Sequence, residues 1–261
     1  MKSLIALTTA LAALTLAAPS HAEIKTREVD YQQDGTTLQG YCAWDDAIKA
    51  KRPGVLVVHE WWGHNAHARR QAERLARSGY VGFALDMYGK GKVAKHPEDA
   101  QAFMAEATKD PAVMVDRFNA GLDQLKQDPH VNAGKIAAIG YCFGGAMVLN
   151  MARSGADLAA VASFHGALAT EHPAEQGKVR ARVLIMTGAA DPFVPEEQVA
   201  AADSEFKAAG ANYQIIRYPG AKHGFTNPDA GTYGMPALAY NATADKQSWA
   251  AMLKMFKVAL K

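Results

Sequence analysis

Short apolar runs that alternate with helical stretches constrain the fold of this chain more than any other feature of its sequence. Residues 54–58 read Gly-Val-Leu-Val-Val, and residues 182–187 read Arg-Val-Leu-Ile-Met-Thr. Continuous apolar runs of this length are typical of strands buried on both faces of a parallel sheet. Predicted helices follow these runs at 66–78 and 196–209. The pattern predicts an α/β fold with a doubly wound, mostly parallel sheet.

The residues that precede the first of these runs add an antiparallel hairpin to this sheet. Predicted strands at 24–32 and 36–44 flank the turn Gln33-Asp34-Gly35. Further strands are predicted at 80–85, 135–140, 158–164 and 213–218, and further helices at 97–108, 111–127, 143–154 and 245–260. No repeat or linker divides residues 23–261, so we expect one domain. Functional loops of such sheets follow the carboxyl ends of the strands.

The first 22 residues have the pattern of a cleaved signal peptide. Lys2 supplies a positive start, residues 4–18 are uncharged and mostly apolar, and Ser20 and Ala22 are small residues at the positions that signal peptidase reads. The run is shorter than the roughly 20 apolar residues that span a bilayer. We predict cleavage after Ala22 and a periplasmic or secreted protein. The formal net charge of +2 includes Lys2, so we expect neither a nucleic-acid partner nor, after signal removal, a membrane partner.

Residues 140–145 read Gly-Tyr-Cys-Phe-Gly-Gly between a predicted strand and a predicted helix. They match the nucleophile-elbow pattern G-x-S-x-G, with cysteine in the place of serine. The helix N-terminus favours the thiolate form of Cys142. A buried structural cysteine beside a glycine-rich turn is the alternative interpretation. The pattern alone does not decide between the two.

Two residues farther along the chain favour the catalytic interpretation. Asp191 follows the predicted strand 182–187, and His223 follows the predicted strand 213–218. The order nucleophile, acid, base is that of α/β-hydrolases. We expect His223 to accept the thiol proton and Asp191 to orient its imidazole. The backbone N–H groups of Phe143 and Trp61 are the predicted oxyanion donors.

The loop after residues 54–58 reads His59-Glu60-Trp61-Trp62-Gly63-His64, close to the zinc motif H-E-x-x-H. The second histidine comes one residue too late to share a helix face with the first, so we predict neither a metal nor another cofactor. Glu60 is instead predicted to lie beside the thiol. Tyr88, Trp62 and Phe193 are candidate substrate contacts.

These motifs make the chain similar to the dienelactone hydrolase (carboxymethylenebutenolidase) family. The resemblance rests on 59–63, 86–88, 140–145, 188–195 and 222–225, with the cysteine elbow as its most specific part. It implies that Cys142, Asp191 and His223 form a triad. It also implies that Glu60 interacts with the resting thiol and helps to activate it when substrate binds. The expected substrate is a small-molecule ester or lactone, cleaved through an acyl-thioester.

One departure from the resemblance bears on the substrate. Dienelactone enzymes hold a substrate carboxylate with two arginines, whereas here the corresponding regions read Gly89-Lys90-Gly91-Lys92 and Thr226-Asn227-Pro228. Lysine lacks the planar bidentate geometry of arginine. Dienelactone itself is therefore not the expected substrate.

Two alternative functions remain open at the level of the sequence. A disulfide between Cys42 and Cys142 would silence the nucleophile and leave a non-catalytic periplasmic binding protein with the same fold. Peptidase-like action is compatible with the same triad chemistry.

Overall fold

The computed structural model describes residues 23–261, and the predicted signal peptide at 1–22 lies outside the described residues. The strands are β1 (Ile24–Gln33), β2 (Thr36–Asp45), β3 (Arg52–Val58), β4 (Val81–Leu85), β5 (Val131–Tyr141), β6 (Ala160–Phe164), β7 (Arg182–Gly188) and β8 (Tyr213–Tyr218). The α-helices are α1 (Ala66–Arg77), α2 (Pro97–Thr108), α3 (Pro111–Gln127), α4 (Phe143–Arg153), α5 (Glu196–Ala208) and α6 (Ala242–Ala259), with a 3₁₀ turn at Ala230–Tyr233. No helix among these is both long and apolar enough to cross a membrane.

All eight strands form one sheet in the order β1-β2-β4-β3-β5-β6-β7-β8. β1 and β2 pair antiparallel, and β2 joins the remaining strands antiparallel to β4. Every other pair is parallel. The predicted doubly wound, mostly parallel α/β sheet, with its N-terminal antiparallel hairpin, is confirmed.

Helices cover both faces of the sheet, as the continuous apolar strands require. Apolar residues of α3, α4 and α5 pack on one face, represented by Phe118, Met147 and Phe206. Apolar residues of α1 and α6 pack on the other, represented by Leu75 and Met252. The two buried layers hold the strand ends in fixed positions.

Two boundaries and one short element depart most from the sequence-based expectation. β5 begins at Val131 rather than at 135, because residues 131 and 132 pair with the start of β3 before a register shift at Pro53/Gly54. α6 begins at Ala242 rather than at 245, since the Asn241 side chain caps it by accepting the Ala244 N–H at 3.0 Å. The 3₁₀ turn at Ala230–Tyr233 had no apolar periodicity to predict it.

Candidate active site

Cys142 lies in the sharp turn between β5 and α4, in a backbone conformation that is rare for a residue with a side chain. Its φ is 53° and its ψ is −114°. A Cβ at Gly140 would collide with the carbonyl group of Gly144, and a Cβ at Gly144 would collide with the carbonyl oxygen of Val58. The two glycines of the motif are therefore required by close backbone contacts. The strained turn holds the sulfur at the carboxyl edge of the sheet.

Asp191 and His223 approach this turn from the loops after β7 and β8. Nδ1 of His223 lies 2.9 Å from Oδ2 of Asp191, and both residues are buried. The other carboxylate oxygen of Asp191 accepts the Phe193 N–H at 2.9 Å. With both oxygens engaged, Asp191 has a fixed orientation and holds the imidazole with Nδ1 protonated.

His223 and Cys142 line the same cleft. Burial acts to lower the pKa of His223, but the charge of the Cys142 sulfur, together with hydrogen bonds to Asp191 and Cys142, raises it to about 10. The charged form of His223 is therefore favoured beside the Cys142 sulfur. A charged imidazole next to a cysteine is an arrangement that can activate the sulfur as a nucleophile.

Glu60 follows β3 and is buried near both residues. Its Oε2 accepts a hydrogen bond from Nδ2 of Asn227 at 2.7 Å. Burial raises the pKa of Glu60 to about 7, and the hydrogen bond from Asn227 opposes that rise. Within residues 23–261, no hydrogen bond joins Glu60 to Cys142, although the two side chains line one small cavity.

The backbone N–H groups of Trp61 and Phe143 donate to no other group within residues 23–261. Both residues line the cleft beside Cys142. The loops that carry them are joined by a hydrogen bond from the Gly144 N–H to the His59 carbonyl at 3.1 Å. Two unengaged N–H groups on connected loops are suited to hold a developing oxyanion.

His59 itself serves the loop structure. Its Nε2 accepts the Met87 N–H at 3.1 Å, and its Nδ1 lies 2.5 Å from the carbonyl oxygen of Glu60. Both ring nitrogens are therefore used inside the protein. This histidine fixes the backbone of the loop from which Glu60 and Trp61 extend.

A cleft of about 400 Å³ opens above Cys142 and His223. Its other lining residues are all apolar: Trp61, Met104, Phe143, Ala146, Ala167, Phe193, Val194, Met235 and Leu238. Lys90 and Lys92 lie in the region where the family has a substrate-binding arginine, but neither of them lines the cleft. Lys90 pairs with Asp30, and Lys92 Nζ lies 2.7 Å from Glu106. The cleft is suited to an uncharged, apolar group.

The three candidate substrate contacts lie in different surroundings. Phe193 is 47% exposed and lines the cleft. Tyr88 is buried and packs against His59 and Phe143, so it supports the cleft wall from behind. Trp62 is buried and stacks on Tyr233, with ring centroids 3.8 Å apart.

Both cysteines are free, and the structure does not support the predicted alternative of a disulfide between them. Cys42 lies in β2, three strands away from β5 across the sheet. Strand spacing places the two residues more than about 14 Å apart, whereas bridged cysteines need Cα atoms within about 7 Å. The Cys42 sulfur instead contacts a carboxylate oxygen of Asp128 at 3.5 Å.

Sequence reasoning missed His165, which lies directly after β6. Its Nδ1 accepts the Cys142 N–H at 3.2 Å, and its Nε2 lies 2.9 Å from the Thr226 hydroxyl. Burial lowers the pKa of His165 well below its ordinary range, so the ring is neutral. It connects the cysteine turn to the loop of His223. The sequence did carry a signal for it, because His165 directly follows the predicted strand 158–164. Asp191 and His223 were identified by the same kind of position.

Known proteins resemble this chain over most of its length. The family model described as the dienelactone hydrolase family matches residues 38–260. A crystal structure of a dienelactone hydrolase-like promiscuous phosphotriesterase from metagenomic libraries has 39% sequence identity and a TM-score of 0.87, over 91% of this chain and 99% of the other. The protein named usf of Aquifex pyrophilus is 31% identical over 205 residues, 76% of this chain and 86% of that protein. A protein of Aquifex aeolicus with the provisional name carboxymethylenebutenolidase is 29% identical over 239 residues, 89% of this chain and 98% of the other.

The eight-stranded sheet, with its cysteine turn and its acid and histidine loops, has the architecture of an α/β-hydrolase. Within that class, the chain belongs to the dienelactone hydrolase family. It is accordingly a hydrolase of the kind that cleaves esters or lactones.

Proposed function

We propose that this enzyme cleaves an uncharged carboxylic ester or lactone with Cys142 as nucleophile, His223 as base and Asp191 as the residue that orients the base. The observation that carries the proposal is the 2.9 Å hydrogen bond between His223 and Asp191, beside a cysteine held in a strained turn. The sulfur attacks the carbonyl carbon, and the imidazolium of His223 then protonates the leaving oxygen. The product of this half-reaction is an acyl-thioester on Cys142.

The oxyanion formed in this attack is assigned to the backbone N–H groups of Phe143 and Trp61. Support comes from their position in the cleft and from the lack of another acceptor for either group within residues 23–261. Such donors need no reorganisation as negative charge develops on the carbonyl oxygen.

Substrates without a free carboxylate are favoured because no lysine or arginine among residues 23–261 lines the cleft. A carboxylate placed among the apolar residues of this cleft would lose its hydration without gaining a lysine or arginine partner. The solved relative described as a promiscuous phosphotriesterase is consistent with this preference, since a phosphotriester is also uncharged.

Export to the periplasm or the medium is also part of the proposal, on the strength of the predicted signal peptide. An oxidising compartment would inactivate a nucleophile that had a second cysteine within reach. Cys42 is too distant across the sheet to form that bond. The mature chain is then expected to begin at Glu23.

The test is hydrolysis of p-nitrophenyl acetate by the Cys142→Ala protein. We expect kcat/KM to fall by about a thousandfold or more, since loss of a nucleophile removes the covalent route. Cys42→Ala, which removes the other thiol far from the site, is the control and is expected to keep its activity. A folded Cys142→Ala protein with normal turnover would overturn the proposal.

A further inference from the structure

A second, much smaller cavity adjoins the reacting sulfur. It has a volume of about 10 Å³, and its lining includes the side chains of Glu60, Cys142, His223, Asn227 and Tyr233. This volume is about the minimum that holds one water molecule, and a buried water requires two to four polar partners. The cavity therefore meets both the size and the polarity requirements for a single water.

The carboxylate of Glu60 has one engaged oxygen and one oxygen without a hydrogen-bond partner within residues 23–261. Its Oε2 is engaged by Asn227 at 2.7 Å. Its Oε1 lies 4.0 Å from the position that a Cβ would take at Gly224, the residue next to His223. The stacked rings of Trp62 and Tyr233 form part of the apolar wall. One carboxylate oxygen is fixed, and the other is available to accept a hydrogen bond from a water molecule.

The two cavities share Trp61, Cys142, His223 and Leu238 but differ in the rest of their walls. Phe193, Val194 and Met104 line only the large cleft, and Glu60 and Asn227 line only the small cavity. An acyl group in the large cleft would therefore leave the small cavity open beside the thioester. A nucleophile seated there does not compete with the acyl chain for space.

We propose that the small cavity seats the water that hydrolyses the acyl-thioester and that Glu60 orients this water. The inference rests on the proposed function, because it requires an acyl group on Cys142. One O–H of the water donates to Glu60 and the other to Nε2 of His223, and the oxygen attacks the thioester carbonyl. His223 takes the proton, and the C–S bond breaks. The carboxylic acid leaves, and Cys142 returns as the thiolate beside the imidazolium.

The experiment compares water with hydroxylamine as acyl acceptors in the wild-type enzyme and in Glu60→Gln. Both proteins are given p-nitrophenyl acetate with hydroxylamine, and acetate and acetohydroxamate are measured. Background reaction is subtracted with Cys142→Ala. The ratio of the two products reports only on the step after acylation, whichever step limits turnover.

We expect the ratio of hydroxamate to acetate to rise about tenfold or more in Glu60→Gln, the effect of losing an oriented water. The rate at which iodoacetamide alkylates Cys142 is measured in the same proteins, because a change in the thiol would alter acylation but not the product ratio. Glu175→Gln makes the same chemical change at an exposed position, and its ratio should equal that of wild type.

An unchanged product ratio in folded Glu60→Gln would overturn the inference. So would slower alkylation of Cys142 with an unchanged ratio, because Glu60 would then act on the thiol instead. Failure of the proposed function has a separate signature. In that case folded Cys142→Ala keeps normal turnover of p-nitrophenyl acetate.

Discussion

The hydrogen bond between Asn227 and Glu60 should control the pH at which the acyl-enzyme is hydrolysed. Nδ2 of Asn227 lies 2.7 Å from Oε2 of Glu60, and both side chains are buried. A hydrogen bond to a charged group contributes about 1.5–3 kcal/mol. At about 1.4 kcal/mol per pKa unit, its loss corresponds to about one to two units. Removal of the amide donor should therefore raise the pKa of Glu60 from about 7 to about 8 or 9.

The sign of the effect on activity follows from the form of Glu60 that orients water. The carboxylate accepts the water O–H, and it is present above the pKa of about 7. The hydrolytic rate should therefore fall as the pH drops through 7 in the wild-type enzyme. In variants that lack the amide donor of Asn227, this fall should begin one to two pH units higher. The size of the shift follows from the loss of a hydrogen bond that contributes about 1.5–3 kcal/mol. Besides His223, the charged groups that act on Glu60 are Arg70 and Asp229, and the variants leave them unchanged.

Two substitutions separate loss of the donor from disruption of the loop. Asn227→Ala removes the donor and also the acceptor that engages the Asp229 N–H at 3.0 Å. Asn227→Asp keeps that acceptor and places a second carboxylate against Glu60, which raises the pKa of one of the pair still further. We therefore expect the larger shift in Asn227→Asp.

The assay is the pH profile of acetate formation from p-nitrophenyl acetate, with hydroxamate formation as the internal reference. The shift should appear in the acetate profile and disappear when Glu60→Gln is combined with either substitution. Coincident profiles for wild type and both Asn227 variants, with thermal unfolding showing an intact fold, would refute the reasoning.

Two further predictions concern the base and the cleft. Asp191→Asn should lower kcat/KM for p-nitrophenyl acetate by between about 10²- and 10⁴-fold, since it removes the carboxylate that orients His223; a loss below tenfold would argue against this role. Met104→Arg places a cation at the rim of the apolar cleft. It should raise the rate for p-nitrophenyl hemisuccinate relative to p-nitrophenyl butyrate by about fivefold, the effect of a solvent-exposed ion pair of about 1 kcal/mol. An unchanged ratio would show that this position does not meet the acyl group.

The fold was predictable because apolar strands buried on both faces produce a strong local pattern. The placement of Cys142, Asp191 and His223 at one edge of the sheet was equally predictable. Each of them follows a predicted strand, and the sheet brings the strand ends together. The hydrogen bond between Asp191 and His223 joins residues 32 positions apart. It was predictable only because the order of the three residues matched a known arrangement.

The partner of Glu60 was not predictable in the same way. Asn227 is 167 positions away from it in the sequence, and nothing in the local pattern marks an asparagine as a buried donor. The sequence identified this position only as one that lacks an arginine. The small cavity was unpredictable for the same reason. Trp62 and Tyr233, which form part of its wall, are far apart in the sequence and meet only in the folded chain.

The central claim is that an acyl group passes through the sulfur of Cys142. It is tested most directly by mass spectrometry of the wild-type protein, quenched with acid during turnover of p-nitrophenyl butyrate. The account predicts a single butyryl adduct, mapped by peptide analysis to Cys142 and absent from Cys42. An adduct confined to another residue, or normal turnover by folded Cys142→Ala, would contradict it.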